Sequence, residues 1–160
     1  WPQDEAYYIP WLKEHPEVRA IIAPHEFDDK RLCALVSELG GPEVAALWSQ
    51  IKDLASVPAQ VRYIVVDCFG ILSSLYKYGQ IAIVGGGFGA GIHNIPEAAV
   101  YGMPVIFGPH HNKFREATDL LRLGGPLYSD SSVLCTASAA AADYIESHTG
   151  ATPRIFADIF

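Results

Sequence analysis

Apolar residues along this chain occur in two patterns: short unbroken runs, and longer stretches in which they recur every three or four positions. The short runs predict buried strands, and the periodic stretches predict amphipathic helices. Strands are predicted at Val18–Ala23, Arg62–Val66, Ile81–Val84 and Pro104–Phe107. Helices are predicted at Asp4–His15, Asp28–Leu39, Ile71–Tyr78, Asn94–Tyr101, Asn112–Leu123 and Ser131–His148.

The remaining segments carry weaker signals. Val44–Ile51 fits a helix or a strand, and Lys52–Gln60 is loop-like. Gly124, Gly125 and Pro126 end the helix before them, and Leu127 and Tyr128 are candidates for a short strand.

The order of these elements indicates the fold class. Strands that alternate with helices predict an α/β domain with a doubly wound parallel sheet, and we expect residues 1–160 to form a single such domain. A domain of this kind usually begins with a strand, whereas the first element predicted here is a helix. We therefore expect the sheet to lack its first strand and the chain to be a fragment of a longer protein.

Glycines are concentrated between the third and fourth predicted strands, in a βαβ unit that spans Ile81–Pro109. Five of them lie within seven residues, at Gly85, Gly86, Gly87, Gly89 and Gly91. Ligands bind at the carboxyl ends of parallel strands, and backbone N–H groups before a helix favour an anion. The cluster therefore predicts a phosphate cradle, with a simple tight turn as the alternative. The segment also fits a dinucleotide fingerprint, but the next strand lacks the acidic residue that would hold a ribose.

Polar side chains follow the glycines on the predicted helix. Glu97 lies three and four positions after Asn94 and His93, so the three residues share one helix face. A carboxylate beside a phosphate cradle is well placed to accept hydrogen bonds from ribose hydroxyls. The alternative is a capping box, in which Asn94 caps the helix and Glu97 reaches back. A metal site at His93 and Glu97 lacks a third ligand at matching spacing.

Two further strand ends carry polar residues. Pro109 and Lys113 flank a pair of histidines after the fourth strand, and His25 follows the first strand. Cationic side chains at this edge of a sheet can contact a phosphate or a carboxylate. A solvated loop is an equally good interpretation of each segment taken alone.

Composition excludes several classes of function. The net charge of −7 argues against a nucleic-acid surface. Three widely spaced cysteines without a CxxC motif indicate a reducing compartment, and no apolar run approaches the ~20 residues of a membrane span.

No Ser-His-Asp pattern and no pair of carboxylates suited to hydrolysis is evident, so the chain offers no catalytic base.

The segment Val66–Ala117 resembles the carboxyl-terminal domain of bacterial 3-deoxy-D-manno-octulosonic acid (Kdo) transferases. That family shows V-D-T-x-G-E-L, strand-GGS, G-x-H-N-x-x-E, P-V-x-x-G-P and N-F-x-E in this order. The matching segments are Val66–Gly70, Gly85–Gly87, Gly91–Glu97, Pro104–Pro109 and Phe114–Glu116. The resemblance also favours a strand within Ala46–Ile51.

The resemblance implies a GT-B glycosyltransferase with two Rossmann-like domains. It would move Kdo from CMP-Kdo to the lipid A precursor at the cytoplasmic face of the bacterial inner membrane. The carboxyl-terminal domain would hold CMP-Kdo, and the amino-terminal domain would hold the acceptor, the membrane-binding surface and the catalytic carboxylate. We therefore expect a soluble donor-binding fragment that is inactive alone and uses neither a cofactor nor a metal. The alternatives are a GT-B enzyme that uses a UDP-sugar, and a nucleotide-binding module without chemistry.

The resemblance also implies roles for individual residues. Glu97 would hold the CMP ribose, and the glycines with Asn94 would face the phosphate. The chain departs from the family at Gly87, where the family has serine, at Ile71, where it has glutamate, and at His25, which replaces an arginine. The residues expected to contact the donor are Gly70, Gly85, Gly86, Gly87, Gly91, His93, Asn94, Glu97, Pro109, Lys113 and His25.

Overall fold

The computed structural model describes residues 1–26, 28–51, 56–124 and 131–149. The chain divides into two compact units, Trp1–Leu75 and Tyr76–Phe160. Each unit has its own parallel sheet with helices that connect the strands. The predicted α/β class with parallel strands is therefore confirmed.

The first unit contains three strands in the order β1-β3-β2, all parallel. Its elements are α1 (Pro2–Glu14), β1 (Ala20–Ile22), α2 (Asp29–Glu38), β2 (Ala45–Leu47), a 3₁₀ turn (Trp48–Gln50), β3 (Tyr63–Val65) and α3 (Leu72–Leu75). Ile64 of the central strand lies opposite Ile21 on one side and Ala46 on the other. All three carboxyl ends therefore lie at the same edge of this sheet.

The core of the first unit joins α1 and α2 to the sheet. Leu35 and Leu39 of the α2 segment and Tyr63 of β3 are fully buried in one cluster with Leu12 of α1. The Tyr63 hydroxyl donates a hydrogen bond of 2.9 Å to the Leu12 carbonyl oxygen. Helix α2 begins at Asp29, one residue after its predicted start, because the Asp28 side chain caps it by accepting from the backbone N–H of Arg31.

The second unit contains two parallel strands, and Ile83 lies opposite Ile106. Its elements are a 3₁₀ turn (Tyr76–Tyr78), β4 (Ala82–Val84), α4 (Pro96–Ala99), β5 (Val105–Phe107), α5 (Arg115–Gly124) and α6 (Ser131–Ser147). Val84, Ile95 and Ala117 form one buried cluster, and α6 packs against α4 and α5. The strand-helix-strand unit that the sequence predicts around the glycines is therefore present.

One local prediction is wrong, one open segment is now assigned, and one predicted helix is only partly α-helical. Asn94 is not the N-cap of the predicted helix, because α4 begins at Pro96 with Ile95 at the cap position. A proline is favoured in the first helical turn because its φ is already helical and its missing N–H would have no partner there. The open segment Val44–Ile51 is a strand followed by a 3₁₀ turn, and the segment Ile71–Tyr78 is an α-helix followed by a 3₁₀ turn. The predicted short strand at Leu127 and Tyr128 lies outside the described residues.

Candidate functional site

Two loops follow the strands of the second unit and pack directly on each other. The glycine loop (Gly85–Gly91) follows β4, and the histidine loop (Gly108–Lys113) follows β5. The closest approach is between Gly87 and Gly108: a Cβ atom on Gly87 would lie 2.5 Å from the backbone nitrogen of Gly108. Only hydrogen fits at both positions, so the glycine that replaces the family's serine at residue 87 has a structural reason.

The glycine loop is also closed by its own hydrogen bonds. The N–H groups of Gly89 and Gly91 both donate to the carbonyl oxygen of Gly86, at 2.9 and 3.1 Å. Gly86 has a φ of +92°, and a Cβ atom there would collide with the Gly91 carbonyl oxygen. These contacts show that Gly86, Gly89 and Gly91 form a tight turn. The N–H groups of Gly89 and Gly91 therefore point into the loop rather than toward a ligand.

His110 holds the two loops together. Its backbone N–H donates to the Gly87 carbonyl oxygen at 2.9 Å, and its ring Nδ1 lies 2.9 Å from the Gly89 carbonyl oxygen. The His110 side chain is exposed. The sequence indicates histidines at this edge but gives no signal for this contact.

Asn94 and Glu97 lie next to each other at the start of α4. The Asn94 side-chain amide donates a hydrogen bond of 2.8 Å to Oε1 of Glu97. The helix has no side-chain cap, so the capping-box interpretation of this pair is wrong. Glu97 is half-buried, and His93 and Asn94 are exposed.

The Glu97 carboxylate also affects a neighbouring phenol. Burial and, second to it, the negative charge of Glu97 raise the pKa of Tyr76 above its ordinary value. Tyr76 packs against the cluster of Ala82, Ala98 and Met103, below the same helix turn. The second unit therefore places a carboxylate and an amide at the start of α4, with a phenol near the carboxylate.

The first unit carries a separate group of polar residues at the carboxyl edge of its sheet. Asp67, after β3, accepts hydrogen bonds from the backbone N–H and the hydroxyl of Ser49, after β2. Gly70 has a φ of +84° in the turn that follows Asp67. His25, after β1, is exposed and its ring stacks on Trp1 with 3.9 Å between centroids. The Ser49–Asp67 pair is a feature that sequence reasoning missed, although an acid directly after a strand signals such an edge.

The predicted donor-contacting residues thus fall into two groups. The second unit brings together the glycine loop, the Asn94–Glu97 pair and the histidine loop, with Pro109 and Lys113 exposed on the latter. The first unit holds His25 and Gly70. Within the described residues, no three His, Cys, Asp or Glu side chains are arranged to hold a metal ion. None of the helices in the same parts of the chain is both long enough and apolar enough to cross a membrane.

Comparison of the sequence with known proteins confirms the resemblance to Kdo transferases. No family model matches the chain. The chain is 34% identical to a probable mitochondrial Kdo transferase of Arabidopsis thaliana over 119 aligned residues. This alignment covers 72% of the chain and 26% of that protein. The chain is 48% identical to the Kdo transferase of Aquifex aeolicus over 63 aligned residues. This alignment covers 39% of the chain and 18% of that protein.

A third relative, the Kdo transferase of Chlamydia pneumoniae, is 40% identical over 81 residues, or 49% of this chain and 18% of that protein. The chain therefore spans about a fifth to a quarter of the length of these curated relatives.

The fold is similar to that of a solved structure. The crystal structure of the C-terminal CMP-Kdo binding domain of WaaA from Acinetobacter baumannii matches 97% of this chain and 78% of that chain, with a TM-score of 0.61. The two sequences are 20% identical over this alignment, so the likeness establishes the shared Rossmann-like fold.

Proposed function

We propose that this chain is the donor-binding half of a Kdo transferase, an enzyme that moves Kdo from CMP-Kdo to the lipid A precursor. The observation that carries the proposal is the sequence similarity to curated Kdo transferases, which extends over 72% of the chain in the longest of the alignments given above. The fold shared with a CMP-Kdo binding domain supports the same assignment. Most of the site residues of the second unit lie within the family motifs quoted above; they are Gly85, Gly86, Gly87, Gly91, His93, Asn94, Glu97 and Pro109.

The geometry supports a specific placement of the nucleotide in the second unit. Its phosphate would lie over the glycine loop and beside Asn94, at the carboxyl end of β4, where parallel sheets bind ligands. Glu97 would accept hydrogen bonds from the ribose hydroxyls. The hydrogen bond from Asn94 goes to one carboxylate oxygen, Oε1, and orients the group. Bonds of this charge-assisted kind contribute roughly 1.5–3 kcal/mol each before desolvation losses.

The remaining functions would belong to the rest of the full-length protein. The acceptor site, the catalytic carboxylate and the surface that binds the cytoplasmic face of the inner membrane would lie in an amino-terminal domain. The chemistry would need no cofactor, because the donor already carries an activated sugar. This part of the proposal is consistent with the short span of the chain relative to its curated relatives.

A calorimetric titration of the chain with CMP, UMP, NADH and buffer tests the proposal. We expect CMP to bind more tightly than UMP, and NADH to give no more heat than buffer. Tighter binding of UMP would favour a UDP-sugar enzyme instead. Absence of binding to CMP would overturn the assignment of a donor-binding half.

A further inference from the structure

The hydrogen bonds of His110 fix which of its ring nitrogens carries a proton. Nδ1 lies 2.9 Å from the Gly89 carbonyl oxygen, and a carbonyl oxygen can only accept a hydrogen bond. Nδ1 must therefore be the protonated nitrogen. The second nitrogen, Nε2, is left as the ring's remaining polar atom, on an exposed side chain at the edge of the glycine loop.

We propose that His110 binds the phosphoryl group of the nucleotide through Nε2, an inference that rests on the proposed function. The ring is tethered to the loop over which that phosphate would lie. A nearby anion favours the protonated form of an imidazole, and in that form Nε2 becomes a donor to a phosphate oxygen. His110 would then donate a hydrogen bond to the phosphate. The N–H groups of Gly89 and Gly91 donate within the loop, to the Gly86 carbonyl oxygen.

The charges around His110 agree with this role. Neither the glycine loop nor the histidine loop contains a carboxylate. The other titratable side chains of these segments are His111 and Lys113, and His93 follows the glycine loop. No acidic group of either loop competes with a phosphate for the contact with Nε2.

The neighbouring histidine has a different environment. The His111 ring is half-buried and meets the edge of the Phe107 ring, with 5.3 Å between centroids. Its Nδ1 lies 3.4 Å from the Gly108 carbonyl oxygen, which is a long hydrogen bond. His111 thus packs on strand β5, and of the two histidines the structure assigns His110 to the ligand.

Two substitutions separate a ligand contact from a loop clamp. His110→Asn keeps an amide N–H near the position of Nδ1 and removes Nε2, whereas His110→Ala removes both nitrogens. His148→Asn is the matched control, because His148 is also exposed and its Nδ1 lies 2.8 Å from a carbonyl oxygen, that of Tyr144 on α6.

The affinities for CMP and for cytidine, measured by NMR titration of the chain and its variants, decide the question. We expect both His110 variants to weaken CMP binding roughly tenfold, as the loss of one charge-assisted bond implies, without changing the affinity for cytidine. His148→Asn should change neither affinity.

Three results would overturn the inference. If His110→Asn retains full CMP affinity while His110→Ala loses it, His110 is only a clamp between the loops. If His110→Asn weakens cytidine and CMP equally, the contact is not with the phosphate. Wild-type protein that binds no CMP would overturn the proposed function itself, and this inference with it.

Discussion

At the scale of single residues, the sequence predicted that Asn94 lies next to Glu97, but it did not decide whether the pair caps the helix. The spacing of three residues correctly implied that Asn94 and Glu97 lie together, and they are hydrogen-bonded. The same spacing also fitted a capping box, which is absent because the helix begins at Pro96. Spacing fixes which side chains can meet, but the donor and acceptor geometry depends on where the backbone turns into a helix.

Glu97→Gln tests the ribose contact. The substitution keeps the shape and one acceptor oxygen and removes the charge, so CMP binding should weaken by about one to two powers of ten, since ~1.4 kcal/mol corresponds to one. Calorimetry measures the dissociation constant, and thermal unfolding of the same variant measures stability. A melting temperature that falls by several degrees with unchanged CMP affinity would show a structural role instead.

Gly87→Ala tests the packing of the two loops. The new methyl group would lie 2.5 Å from the Gly108 nitrogen, so the backbone must shift, and overpacking of this kind typically costs ~1–3 kcal/mol. Gly89→Ala is the matched control, since the nearest atom to its Cβ would be 3.8 Å away. Equal free energies of unfolding for the two variants in urea would contradict the close approach of the loops.

At the scale of elements, periodicity identified most helices and strands but placed their ends less well. The apolar face of Asp28–Leu39 predicted helix α2, which begins one residue after its predicted start because Asp28 is its cap. The periodicity of Val44–Ile51 did not distinguish a helix from a strand. Ala45–Leu47 form a strand because they pair with β3, and their own conformational preference does not signal this pairing.

Tyr63→Phe tests the tie between β3 and α1. The Leu12 carbonyl lies in the last turn of α1, and the residue four positions later is Pro16, which has no N–H to donate. The buried Tyr63 hydroxyl satisfies this carbonyl, so its removal should destabilise the chain by about 1–3 kcal/mol.

Chemical unfolding measures this cost, and Tyr78→Phe is the control, because the Tyr78 side chain is exposed. A Tyr63→Phe variant as stable as the Tyr78→Phe variant would show that the hydrogen bond contributes nothing to stability.

At the scale of the whole molecule, the alternation of strands and helices was enough to predict the α/β class. The order β1-β3-β2 was not predictable, because it depends on hydrogen bonds between strands that are about twenty to forty residues apart in sequence, and periodicity reports only local structure. The same distinction between local and long-range structure applies to the site. Residues within the βαβ unit of the second unit could be grouped from the sequence, whereas the contacts of His110 to the glycine loop and of Ser49 to Asp67 could not.

The proposed division of labour predicts that the chain alone does not transfer Kdo. In the proposal, the catalytic carboxylate and the acceptor site belong to another domain. Incubation of the chain with CMP-Kdo and a lipid A precursor should release no CMP above a blank, whereas a full-length Kdo transferase under the same conditions should. Release of CMP with formation of the glycosylated lipid by this chain would refute the division.

A crystal structure of the chain with CMP would test directly whether the glycine loop and α4 form the donor site. We expect electron density for the phosphate at the glycine loop, within hydrogen-bonding distance of Asn94 or His110, and for the ribose hydroxyls at the Glu97 carboxylate. A nucleotide bound elsewhere, or one bound here with its ribose away from Glu97, would contradict the assignment of this loop and helix as the donor site.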